Sequence, residues 1–178
     1  MNFLDEFGLS ASDNKAKKEF GTLGINNIQT QQKLGLKLSD NTLDTLVAKI
    51  AESLVGTKYK RGGDKPSSEG GIGLDCSGLV QLSGERASGV NFKDRTVDEM
   101  FKDPNLFRTG SGQPGSVNLY DETGDGTYDH ITVVAENNKE VYPSSNKGSI
   151  NLVDKGFLDS YFDTKVNKEF NWDYIKGE

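Results

Sequence analysis

Cys76 and His130 are the residues best suited to covalent chemistry, and each is the only one of its type in the chain. One thiol and one imidazole cannot by themselves build a Cys/His zinc site. They can form a nucleophile and its base. A disulfide within the chain is excluded. Cys76 stands in Leu74-Asp75-Cys76-Ser77-Gly78-Leu79-Val80-Gln81-Leu82, which predicts a helix with Asp75 as its N-cap. The thiol would then lie in the first turn, where free N–H groups and the helix dipole favour a thiolate. The small Ser77 and Gly78 would leave the sulfur approachable and let a substrate backbone come close. The competing reading is a buried, inert thiol. His130 opens the β-branched run Ile131-Thr132-Val133-Val134 directly after a polar loop. That places it at the mouth of a strand, facing a cleft; the competing reading is an exposed, idle His. The two residues are far apart in sequence, so only the fold can join them.

The elements that must do so are partly legible. Leu43, Leu46, Val47, Ile50, Ala51 and Leu54 recur at helical spacing, which predicts a helix over about 40–55, capped by Asp40 or Asn41 and ended by Gly56. Residues 59–73 read as a Gly-rich loop. A weaker helix is expected around Thr96 to Phe101, closed by Pro104. From Gly115 the period becomes two: strands are expected at 117–120, 130–135, 140–142 and 149–153, with a hairpin turn at Asn137-Asn138. Helices followed by antiparallel strands indicate an α+β domain.

The chain has 178 residues, Lys+Arg 21, Asp+Glu 27 and a net charge of −6. This acidic balance argues against a nucleic-acid binder. No apolar run approaches the ~18 residues of a membrane span, and Met1 to Glu6 lacks the pattern of a signal peptide. Asp121 to Asp129 imitates a calcium loop, with oxygen-bearing residues at alternate positions around Gly126. Thr132 stands where the closing Glu is required, so a solvated turn with Asp129 beside His130 is the better reading. No metal and no cofactor is expected.

Tyr59, Gly62-Gly63, Gly73-Leu74-Asp75-Cys76-Ser77-Gly78-Leu79-Val80-Gln81, Gln113-Pro114-Gly115-Ser116-Val117 and Asp129-His130-Ile131-Thr132-Val133-Val134 occur in an order that resembles the NlpC-type family of bacterial cell-wall peptidases. The likeness covers about residues 43–155. It implies a papain-like fold, with N-terminal helices packed on a central antiparallel sheet. It also implies Cys76 as nucleophile, His130 as base and a backbone N–H of Cys76 as oxyanion donor. Tyr59, Asp75 and Ser77 would lie along the substrate cleft. The family's third polar residue, often His, falls on Tyr142, which would then orient His130. Asn146 is an alternative, a Cys–His dyad alone is another, and Tyr142 as a plain cross-strand aromatic is a further one. Pro114-Gly115-Ser116 departs from the family's Pro-Gly-Asp.

Residues 2–9, Asn-Phe-Leu-Asp-Glu-Phe-Gly-Leu, resemble the segment that closes the core of Rhs/YD-repeat proteins, with Glu6 in place of the usual Pro. Residues 1–38 are poorly patterned and read as a linker or irregular N-terminal extension before a catalytic domain over 39–178, and the resemblance implies the end of an Rhs-type core at 2–9. It also implies delivery to a target cell's periplasm or cell wall as the effector part of a larger toxin, with a cognate immunity protein as partner. The leading expectation is a thiol endopeptidase or amidase acting on peptidoglycan stem peptides or cross-links. The alternatives are a thiol hydrolase or acyltransferase with another substrate, and a catalytically silent cell-wall binding module. Rapid alkylation of Cys76 at neutral pH would mark an enzyme, slow alkylation the silent module.

Overall fold

The structure, a computed structural model, describes residues 40–162 and 164–177. The extension expected over 1–38, with its motif at 2–9, lies outside the described residues. Helix α1 spans Asp40–Ser53 and buries Leu43, Leu46, Val47 and Ala51, the stripe its spacing predicts. The loop that follows folds back as a short antiparallel pair, β1 (Asp64–Lys65) with β2 (Gly73–Leu74). Helix α2, Cys76–Ser88, starts at the expected N-cap, Asp75, and ends at Gly89 in the left-handed conformation (φ 75°). Helix α3, Val97–Lys102, opens with a capping box between Thr96 and Glu99.

The remaining chain builds β3 (Phe107–Thr109), β4 (Val117–Asp121), β5 (His130–Ala135), β6 (Lys139–Ser144), β7 (Ser149–Asp154) and β8 (Thr164–Phe170), then a short α4 (Trp172–Ile175). They form one antiparallel sheet in the order β3-β8-β4-β5-β6-β7. Asn137 and Asn138 both take positive φ (55° and 58°), the type I′ geometry that joins β5 to β6. Strands β3 and β8 were not among the expected elements. Strand β8 carries Lys165, Asn167, Lys168 and Glu169, so no clean apolar alternation marks it. It is held by pairing with β4 and by Asn167, whose Nδ2 donates to Ser116 Oγ, Val117 O and Asn118 Oδ1.

The sheet is buried on both sides near the site. Leu119, Ile131, Val133 and Val141 join the residues of α1 and α2 in the apolar core. The other face carries the cross-strand pairs Asn118–Thr132 and Tyr120–His130. On that face Glu140 is fully buried and accepts from Asn118 Nδ2 at 2.9 Å, Tyr120 Oη at 3.1 Å and Thr132 Oγ1 at 2.9 Å. With the Gly156 N–H at 3.4 Å, four donors offset the cost of burying this carboxylate. Among the described residues no helix is long and apolar enough to cross a membrane.

Candidate active site

The start of α2 is built by Asp75. Its Oδ1 accepts from Gly78 N at 2.8 Å and Ser77 Oγ at 3.0 Å, while Oδ2 accepts from Gly62 N at 2.8 Å. The Asp75 N–H donates to Gly63 O at 2.9 Å. One carboxylate thus caps the helix and holds the preceding loop against it. This loop is also why position 78 is Gly: a Cβ there would lie 2.2 Å from the Gly63 oxygen. The space beside Gly78 is filled by the protein's own backbone, so its small size serves packing and does not open a path for a substrate backbone. Asp75 and Ser77 bond each other through Ser77 Oγ.

Cys76 occupies the first turn of α2, as expected, but is buried at 9 % exposure. Its thiol donates to the Asp129 carbonyl oxygen at 3.9 Å, one residue before His130. Burial first, then the Asp75 charge, pushes the thiol up to about 12. Backbone hydrogen bonding from Ile131, Ser77 and Cys76 itself pulls the other way and is outweighed. The resting group is therefore a neutral thiol rather than the thiolate expected from helix position alone. Tyr59 adjoins the site. Its phenol is pushed up to about 12 by burial, then by the Cys76 and Asp75 charges.

His130 begins β5 as expected, but it does not stand open in a cleft. It is 7 % exposed and ringed by aromatics, with centroids at 5.3 Å for Tyr142, 6.1 Å for Phe162 and 6.4 Å for Tyr120. Phe162 comes from the segment after β7, where no element was expected, and closes over the imidazole. Burial lowers the His130 pKa to about 4, so the ring is neutral. Its Nε2 is buried without a hydrogen-bond partner, and its Nδ1 lies 3.5 Å from Glu122 Oε1. Among the described residues no hydrogen bond joins the thiol to the imidazole.

Tyr142 meets His130 edge-on through its ring, and its hydroxyl makes no hydrogen bond to the imidazole. Asn146 lies exposed in the β6–β7 turn, and no hydrogen bond joins it to His130. Sequence reasoning missed Glu122, Glu140 and Phe162. Glu122 lies within the calcium-like loop, where Asp129 and not Glu122 is the acidic residue expected beside His130. The loop's geometry has a different cause: Asp121 accepts from the backbone N–H groups of Thr123, Gly124 and Gly126 at 3.2, 2.6 and 2.8 Å. Its carboxylate folds the turn.

A thiol in the first turn of a helix, set against a sheet whose adjoining strand begins with His, is the arrangement of the papain-like α+β thiol hydrolases. The NlpC/P60 family model matches residues 56–166, and the chain belongs to that family. Solved structures with the same architecture include RipB, a peptidoglycan hydrolase from Mycobacterium tuberculosis (TM-score 0.58, 17 % identity, covering 96 % of this chain and 90 % of that one). NlpC1 from Trichomonas vaginalis has a TM-score of 0.58 at 19 % identity, covering 76 % of this chain and 46 % of that one. The NlpC/p60 domain of the peptidoglycan hydrolase SagA has a TM-score of 0.52 at 18 % identity, covering 69 % and 97 %. The chain spans about half the length of the two Trichomonas proteins it resembles. No curated protein sequence matches it.

Proposed function

We propose that the chain is a cysteine endopeptidase or amidase that hydrolyses amide bonds of peptidoglycan stem peptides or cross-links. The observation that carries this reading is Cys76 in the first turn of α2, its sulfur touching the residue before His130. His130 takes the thiol proton as the sulfur attacks the amide carbon. The backbone N–H of Cys76 steadies the oxyanion. The imidazolium then protonates the leaving amine, and water releases the acyl group from sulfur. Because both groups rest neutral, the proton moves only when substrate arrives. Slow alkylation at neutral pH is then expected of the enzyme as well as of a silent module, so it does not separate them. The same proposal includes delivery of the chain as an antibacterial effector checked by an immunity protein, supported by the motif at 2–9.

The test is digestion of purified peptidoglycan with the wild type and with Cys76→Ala, products identified by mass. Fragments from the wild type alone, with a loss of at least about 1,000-fold in the variant, are expected. A second reading, the silent binding module, is favoured by the missing thiol–imidazole hydrogen bond. Equal, null release by both proteins, with retained binding to the sacculus, would establish it instead.

A further inference from the structure

The chain carries a net charge of −6, yet the loop that leads to Cys76 is basic: residues 58–65 read Lys-Tyr-Lys-Arg-Gly-Gly-Asp-Lys. Lys58, Lys60, Arg61 and Lys65 are all exposed. The fold adds another cation. Tyr59 N donates to Gly148 O at 2.8 Å and Lys58 bridges Ser149, so the β6–β7 turn, with exposed Lys147, lies against the same loop. Tyr59 is half-buried beside Cys76, whose charge opposes its ionisation, while Lys58 and Lys60 on either side of it stay outside. The loop is fastened to the residues just before Cys76. Lys60 N donates to Leu74 O at 3.0 Å, and Gly62 N donates to Asp75 Oδ2 at 2.8 Å. The basic cluster is thereby fixed at the rim of the candidate site.

These cations lack counter-charge. Among the described residues, Lys58, Lys60, Arg61, Lys65 and Lys147 make no ion pair and no side-chain hydrogen bond. The other described cations are matched: most pair with carboxylates, Lys155 donates to Gly112 O, Lys168 lies over the Phe101 ring, and Lys93 acts on the Glu99 carboxyl. Of the carboxylates nearby, Asp75 is engaged by its donors, Glu69 pairs with Arg86 and Glu122 lies by His130, which leaves Asp64 among the cations of the loop. The chain's own extension does not complement the patch, because Lys15, Lys17, Lys18, Lys33 and Lys37 outnumber the acidic residues of 1–38.

We propose that this patch is a docking surface for a carboxylate-bearing wall polymer, the stem peptides of peptidoglycan, and that it turns the reactive rim of an acidic protein toward an anionic network. The identity of the polymer rests on the hydrolase reading. Unmatched surface cations contribute little to folding, but gathered at one rim they raise the local concentration of an anionic partner and orient its approach. Lysine favours a flexible polyanion over a folded partner, since protein interfaces are depleted in Lys and enriched in aromatic residues. The loop's one aromatic, Tyr59, is turned toward Cys76, so nucleic-acid bases have no exposed platform to stack on.

Cosedimentation of the full Cys76→Ala chain with purified sacculi, freed of phosphate polymers, measures docking without turnover. Binding is expected at about 10 mM salt and should weaken at least tenfold by about 1 M, as the screening length falls from about 30 Å to about 3 Å. Adding Lys58→Gln and Lys60→Gln should weaken low-salt binding by roughly tenfold. Adding Lys93→Gln and Lys102→Gln instead, the same loss of charge at other exposed positions, should change it by less than about twofold. Amidation of the sacculus carboxylates should remove the difference between the two. Equal weakening by both pairs of substitutions, or binding indifferent to salt or to amidation, overturns the proposal. So does a salt-sensitive dimer of the free chain that is lost with Lys58→Gln and Lys60→Gln, which would assign the patch to a second copy. If the wild type releases no fragments while binding follows the patch, the docking surface stands and the hydrolase reading falls. If fragments depend on Cys76 while binding ignores the patch, the hydrolase reading stands and the docking surface falls.

Discussion

The two halves of the site are held in different ways. The cysteine half is fastened by hydrogen bonds: Asp75 takes Gly62 N, Ser77 Oγ and Gly78 N, and the Gly63 backbone fills the space at Gly78. The histidine half is held by ring contacts, with one carboxylate at 3.5 Å and one ring nitrogen unpartnered. A nucleophile must keep its place against the oxyanion donors through the whole reaction. A base must accept a proton from one side and deliver it to another, so it keeps a free lone pair. The buried, unpartnered Nε2 costs folding free energy that a hydrogen bond would recover.

If the histidine half is the strained one, pH should reveal it most. In the folded chain the His130 pKa is lowered to about 4, against an ordinary value near 6.5. Above 6.5 both states are neutral and nothing is lost. As pH falls from 6.5 toward 4, the unfolded chain binds the proton and the folded one does not, so stability falls. The loss is on the order of 3 kcal/mol by pH 4. Denaturant titrations of wild type and His130→Gln should show that slope in the wild type only; parallel curves would mean the imidazole is not held neutral.

Removing the fastening of the cysteine half comes next in size. Asp75→Ala should lower stability by about 2 kcal/mol, since the helix loses its cap and the loop its anchor. The same change removes a charge that pushes the Cys76 thiol up, so the thiol pKa should fall. Thiolate at a fixed alkaline pH then increases, and alkylation at pH 9 should run faster in the less stable protein. A slower reaction would show that the carboxylate helps the sulfur rather than opposing it. Smallest of all, Tyr142→Phe should change fragment release within about twofold, because the ring edge and not the hydroxyl meets His130. A loss of a hundredfold there would restore Tyr142 as the orienting group that the family resemblance implied.

Much of the setting of Cys76 was readable locally. The Asp75 cap, the start of α2 at Cys76, the strand opening at His130 and the Asn137-Asn138 turn all follow from rules that act within a few residues. Strand β8 was not readable, because its place between β3 and β4 depends on distant partners and on the Asn167 amide rather than on apolar alternation. Phe162 and Glu122 escaped notice for the same reason: neither has a local pattern that points at an imidazole.

The amino-acid sequence by itself determined which atoms could react: one thiol, one imidazole, a helix start beneath the first and a strand start beneath the second. Tertiary structure alone decided their electrical state and their neighbours. Burial is a property of the assembled core, and it leaves both groups neutral where the helix dipole alone would favour a thiolate. Only packing across the sheet brings Phe162 and Tyr142 onto His130 and sets Glu122 at its Nδ1, because contacts between residues distant in the chain exist only once the strands have paired.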